Sequence, residues 1–188
     1  FAGPIAPPNC PAVPQAGCRE PTIALKGSLR VKDRTPDNGD AFVWKWVRGE
    51  ETPLAALGDP LATTSYRFCV WDATATVLLG TELPPGGTCG AKPCWTSLGT
   101  EGFKYVDKAA TRDGMQKLIL KPGLAGEAKV IAKGKGPRLD LGALPLTLPV
   151  TAQVLASNGE CWSATFEAGG VALNTDLDFS AKASLGTP

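Results

Sequence analysis

The sequence predicts an all-β fold: a two-sheet antiparallel sandwich, immunoglobulin-like or jelly-roll-like, behind an extended proline-rich N-terminal arm. Three observations carry this expectation. From Thr22 onward apolar and polar residues alternate with period two in short runs rich in β-branched and aromatic side chains. Gly, Pro, Asn and Asp interrupt these runs about every ten residues, the rhythm of successive short strands. No stretch repeats its apolar residues at helical spacing. Strands without interleaved helices bury their apolar faces by packing sheet on sheet, with a closed barrel as the competing arrangement.

The arm comes first. Residues 1–21, FAGPIAPPNCPAVPQAGCREP, carry Pro4, Pro7, Pro8, Pro11, Pro14 and Pro21, which forbid helix and remove donors that a central strand needs. Such a segment is extended, and if ordered it must be held either by its own domain or by a neighbouring molecule. Residues 22–188 then form one domain. Its candidate strands are Ile23 to Lys32, Ala41 to Arg48, Tyr66 to Asp72, Thr76 to Leu83, Cys94 to Leu98 and Phe103 to Asp107. They continue with Met115 to Lys121, Ala128 to Lys135, Val150 to Ala156, Cys161 to Glu167 and a weaker Phe179 to Ala183. Asn158-Gly159 predicts a type I′ hairpin, and Pro122-Gly123 with Gly126 turns a second one. The only helical hint is a turn near Pro53 to Leu57.

The composition excludes more than it identifies. Without a single histidine, the chain lacks the usual proton shuttle, the histidine base of serine and cysteine hydrolases, histidine-ligated zinc and CxxCH haem attachment. With 19 basic and 18 acidic side chains the net charge is +1, which provides no global field toward nucleic acid or an anionic membrane. The longest apolar run, Leu141 to Val150, is broken by Pro145, Thr147 and Pro149 and falls short of the ~18 residues of a membrane helix. The chain starts at Phe1 rather than Met, with no charged n-region or apolar h-region, as expected of a mature exported protein. Export accords with six cysteines, an even number without metal-site partners. Of the 15 pairings that six allow, proximity favours Cys10 with Cys18 and Cys89 with Cys94, leaving Cys69 and Cys161 to bridge separate strands.

Few constellations carry chemistry. Asp33, Asp37 and Asp40 offer oxygen ligands of the type calcium takes, but the spacing and distal Glu of an EF-hand are missing, so a polar turn is the favoured reading. Calcium is the one cofactor to be considered. Asn174, Asp176 and Asp178 form a second such cluster. Glu160 and Glu167 sit where solvated acids normally sit, and no acid pair stands out for carboxylate catalysis. Pro84-Pro85-Gly86-Gly87 lacks the Lys and helix of a phosphate loop. Trp44 and Trp46, two apart in VWKWV, share one strand face, which is either core or an exposed platform for sugar rings. Trp95 follows Cys94 and Trp162 follows Cys161, so ring and sulfur lie on opposite sheet faces and one of each pair is expected outside. Lys129, Lys133 and Lys135, with Lys121 and Arg138 nearby, read as a solvated or edge-protecting stripe.

At DRTPDNGDAFVWKW, CGAKPCW, RDGMQKLILKPGLAGEAKVIAKGKG, LPLTLPVTAQV and SNGECWSATF the chain resembles a recurrent domain of secreted proteins from environmental bacteria, over roughly Leu29 to Phe166. The resemblance implies export and a β-rich domain and, since that family has no assigned activity, supplies no catalytic residue. The arm lies outside it. Together these observations lead to the expectation of a non-enzymatic, secreted structural protein that self-assembles into a homo-oligomer or homopolymer, its arm reaching onto a neighbour over Ala12 to Ala16 or from Thr22 on. The competing expectation is a secreted carbohydrate-binding module using Trp44 and Trp46. Neither nucleic acid nor membrane insertion is expected.

Overall fold

The structure, a computed structural model, describes residues 10–184, so the first nine residues of the arm and the last four of the chain lie outside the described residues. Fourteen strands build the expected all-β sandwich. They are β1 Gly27–Lys32, β2 Ala41–Gly49, β3 Tyr66–Trp71, β4 Val77–Leu83, β5 Thr88–Cys89, β6 Lys92–Pro93 and β7 Trp95–Ser97. The second half supplies β8 Phe103–Val106, β9 Met115–Lys121, β10 Ala128–Lys135, β11 Val150–Ala156, β12 Cys161–Phe166, β13 Val171–Asn174 and β14 Asp178–Lys182. An eight-stranded sheet runs β13-β14-β1-β2-β10-β9-β8-β7, a four-stranded sheet runs β12-β11-β3-β4, and β5-β6 forms a small clip closed by the Cys89–Cys94 disulfide. Every strand pair is antiparallel, and both large sheets have free ends rather than closing into a barrel.

The inward faces follow from alternation. Phe42, Trp44 and Trp46 point from β2 into the space between the sheets, opposite Phe68 and Trp162 of the smaller one. Phe68 stacks on Phe42 with centroids 4.8 Å apart and meets Trp44 at 5.4 Å, so three aromatic rings lock the sheets in register. The Trp46 indole N–H donates to the Ser163 carbonyl at 3.1 Å across the interface. The tryptophan face is therefore core, and the platform expected of Trp44 and Trp46 does not exist: both are fully buried.

The smaller sheet is also buried on its outer side, which simple alternation does not predict. Cys69, Trp71, Val77, Leu155 and Cys161 form a second apolar cluster there, completed by Cys10 and Cys18 of the arm. Residues 10–21 lie across this outer face as a third layer. The disulfides are Cys10–Cys69 and Cys18–Cys161, which corrects the expected Cys10–Cys18 and Cys69–Cys161 pairs, while Cys89–Cys94 agrees. Because the arm covers the sulfur side of β12, Cys161 and Trp162 are both inside, and so are Cys94 and Trp95, contrary to the one-in, one-out expectation.

Two further differences are local. The first strand begins at Gly27 rather than Ile23, since Leu25 adopts a left-handed φ of 64° and Lys26 N–H turns back to the Ile23 carbonyl at 3.4 Å. The β11–β12 hairpin is not type I′. Only Gly159 has positive φ, and Gly159 N–H bonds the Ala156 carbonyl at 3.1 Å, giving a three-residue loop with a glycine in the left-handed position. The lysine stripe of β10 is not edge protection either, because β10 lies between β2 and β9 in the middle of the large sheet.

Candidate functional site

Of the predicted calcium ligands, the fold engages the side chain of Asp40. Asp37 begins a short 3-10 turn, and Asp40, 5% exposed, accepts the Arg34 backbone N–H at 2.7 Å. Burial raises the Asp40 pKa despite that bond, and the neighbouring Asp33 and Asp37 push in the same direction. A guanidinium occupies the neighbourhood a cation would need: Arg34 grips Asp178 with two bonds at 2.8 and 3.1 Å. Asn174, of the second cluster, spends its amide on both backbone groups of Leu146, each at 2.8 Å. Among the described residues no three His, Cys, Asp or Glu side chains converge as metal ligands.

The acids singled out for catalysis do not pair. Glu160 forms an ion pair with Arg19 of the arm. The most tightly bound carboxylate is one the sequence did not single out, Asp107, 2% exposed at the end of β8. Its burial would raise its pKa, but bonds from the Thr111 hydroxyl and from the backbone N–H groups of Thr111 and Ala109 outweigh this and hold it below the usual carboxylate range. Asp72 is lowered in the same way by Thr74, Thr76 and Thr147. Both are turn organisers. Each satisfies several N–H donors of its own loop.

What distinguishes this surface is how its strand edges are treated. β12, the outer edge of the small sheet, is closed from two sides: Arg19 adds a parallel bridge, with Arg19 N–H to the Cys161 carbonyl at 2.9 Å and Ser163 N–H to the Arg19 carbonyl at 2.8 Å. Ser184 N–H then reaches the Thr165 carbonyl at 3.2 Å. The opposite edge, β4, receives Gly142 N–H on the Leu78 carbonyl at 2.7 Å, while Glu82 N–H is taken by Asp113 at 3.1 Å. The arm thus docks on its own chain. It adds to β12 at Arg19, and its end pairs with the end of β2, where Pro21 bridges Gly49 and Thr22 N–H meets the Arg48 carbonyl at 2.8 Å; Ala12 to Ala16 forms no such pairing, because Pro11 and Pro14 spoil that stretch and Cys18 delivers Arg19 to β12. Gln15 completes the docking. Its N–H meets the buried Gln153 side-chain oxygen at 2.9 Å, and its carbonyl accepts the Gln153 amide at 2.8 Å.

The large sheet is treated differently. No strand among the described residues pairs outside β13 or β7, its two terminal strands. β13 carries Val171, Ala172, Leu173 and Asn174, without the lysine or proline that commonly guards an edge, and Leu173 and the adjoining Leu177 are 50% and 53% exposed. This edge was not anticipated from sequence. VALN, three apolar residues and an asparagine following Gly170, is a weak signal, easily read as loop. No helix among the described residues is long and apolar enough to cross a membrane. Searched against known protein families, curated proteins and solved structures, the chain matches none.

Proposed function

We propose that the protein is an exported, non-catalytic structural subunit that assembles into an extracellular homopolymer by continuing its large sheet from one copy to the next. The supporting observation is the asymmetry of edges: both borders of the four-stranded sheet are closed by the chain itself, whereas β13, short and bulged, ends the eight-stranded sheet with no strand outside it among the described residues and with Leu173 exposed. Unpaired N–H and C=O rows template the pairing of another strand. A β13-to-β13 contact would stop at a dimer; β13 against β7 of the next copy is head-to-tail and propagates. Three disulfides, typical of oxidising compartments, support export. The arm's contribution is to complete the subunit in cis, not to reach a neighbour.

Sedimentation and negative-stain microscopy under non-reducing conditions test this reading. Wild type is expected to form polymers, and Ala172→Pro with Leu173→Lys to remain monomeric while melting like wild type. Wild-type monomers or dimers at all concentrations, or polymers unaffected by the edge substitutions, would overturn it.

A further inference from the structure

The outward face of the large sheet holds a concentration of charge that neither the net charge of +1 nor edge protection explains. In one cross-strand row, Lys182, Ser28, Lys45, Ile131, Ile119 and Lys104 lie side by side from β14 to β8. The next row brings Arg30, Val43, Lys133 and Lys117 together. Two pairs on the central strands are of like charge: Lys133 lies directly opposite Lys117, and Lys129 directly opposite Lys121. Like charges facing each other across antiparallel strands destabilise a sheet. Among the described residues Glu101, 3.5 Å from Lys121, relieves the second pair in part, Asp178 at the margin is held by Arg34, and no carboxylate bridges Lys133 or Lys117.

The ends of β10 extend the pattern. Beyond Lys129 a cleft of ≈ 480 Å³ is lined by Lys26 and Arg48 together with Val47, Gly126 and the rim carboxylate Glu127. Beyond Lys135 a smaller one of ≈ 190 Å³ is lined by Lys108 and Arg138. From Lys129 to Lys135 the strand covers ~20 Å, so the lysines of β10 join two cation-lined clefts into one straight track.

We propose that this face binds a linear acidic polysaccharide laid along β10. A single extended polyanion meets Lys129, Lys133 and Lys135 along the strand, with Ile131 between the first two, and lysines on both neighbouring strands, and it relieves the Lys133–Lys117 pair, which has no carboxylate partner among the described residues. The side chains between the lysines argue for this partner. Val43, Val47, Ile119 and Ile131 are half-buried within the sheet surface, so between the lysines no apolar side chain projects to enter a bilayer. All five tryptophans and both tyrosines are buried, which leaves no ring here for nucleic-acid bases to stack on. Lysine outnumbers arginine along the track, favouring point-charge attraction over forked phosphate recognition. The inference is independent of edge-to-edge assembly.

The test titrates the full chain with polygalacturonate at low and at physiological salt, with neutral dextran, duplex DNA and phosphatidylglycerol vesicles alongside. Binding to polygalacturonate that weakens with salt is expected, with dextran inert and DNA and vesicles weaker. Lys117→Gln, Lys129→Gln and Lys133→Gln combined should weaken binding by about fivefold per lysine, roughly a hundredfold together. The same variant should melt at or above the wild-type temperature, since it removes like-charge pairs, a gain that lysines serving only the fold would not give. Lys92→Gln, on the β5-β6 clip, should bind as wild type. No polygalacturonate binding at low salt, undiminished binding by the triple variant, or tighter binding of DNA or vesicles would each overturn the proposal. So would a wild-type self-association that salt dissolves while polygalacturonate remains unbound.

Discussion

Cys18→Ala combined with Cys161→Ala removes the bridge that fixes the arm against β12, and its effect can be worked from chain lengths. The bridge spans 143 residues of sequence. With Cys10–Cys69 intact, the covalent path is already shorter, eight residues from Cys10 to Cys18 and ninety-two from Cys69 to Cys161. In the chain-entropy model, closing a loop of about 100 residues is worth about 4.7 kcal/mol at 25 °C, and measured values fall between about 0 and 5. Because Arg19 depends on Cys18 for its two backbone bonds to β12, the loss should lie toward the upper end, about 3–5 kcal/mol, or roughly 6–20 °C in Tm for a domain of this size. Guanidinium unfolding of the oxidised protein measures the free energy, and a non-reducing peptide map establishes the connectivity beforehand. A peptide linking Cys10 to Cys18, or a loss below about 1 kcal/mol, would refute the conclusion that the arm is a covalently anchored third layer.

Gly49→Ala should be severe for its size: the added Cβ would fall 1.8 Å from Trp46 Cη2, and that ring is buried and bonded to Ser163, so a loss of about 2–3 kcal/mol is expected by chemical denaturation. Gly169→Ala, which meets nothing within 4 Å, is the matched control and should lie within ~0.5 kcal/mol of wild type. Trp44→Ala should cost about 3–5 kcal/mol through the cavity it leaves while polygalacturonate affinity of the folded fraction is unchanged, since the ring faces the core. Asp72 and Asp107 have lowered folded-state pKa values, so their contribution is present above the unfolded aspartate value of about 3.9 and disappears as pH falls through the folded value. Stability measured by urea unfolding should therefore decline below about pH 4, and less steeply in Asp107→Asn; Asp40, raised by burial, acts in the opposite sense.

Much of the fold was legible locally. β9 and β10 have the ends that alternation predicts, because their burial largely alternates along a half-buried strand. Where a strand is buried on both faces the rule fails. β3 reads YRFCVW and is buried at all positions but Arg67, since the arm lies on the side that should have met solvent. The apolar run FCVW was a signal of this, as was Cys161 beside Trp162: sulfur and ring on opposite faces, neither suited to water, require a third layer. Proximity misled the pairing of Cys10, because nothing in the eight residues to Cys18 records that Cys69 is brought alongside by sheet packing.

The sequence alone determined the class of fold, the extended arm, the expectation of disulfides and the absence of histidine chemistry, because these depend on residue type and on spacings of a few residues. Tertiary structure decided the rest. It buried Trp44 and Trp46, and it turned an arm expected on a neighbour into a layer of the same chain. It put the lysines of β10 at the centre of a basic face and left β13 at an edge. Each depends on strand order and sheet pairing, contacts between residues tens of positions apart, and alternation along one strand contains no record of which strand lies beside it.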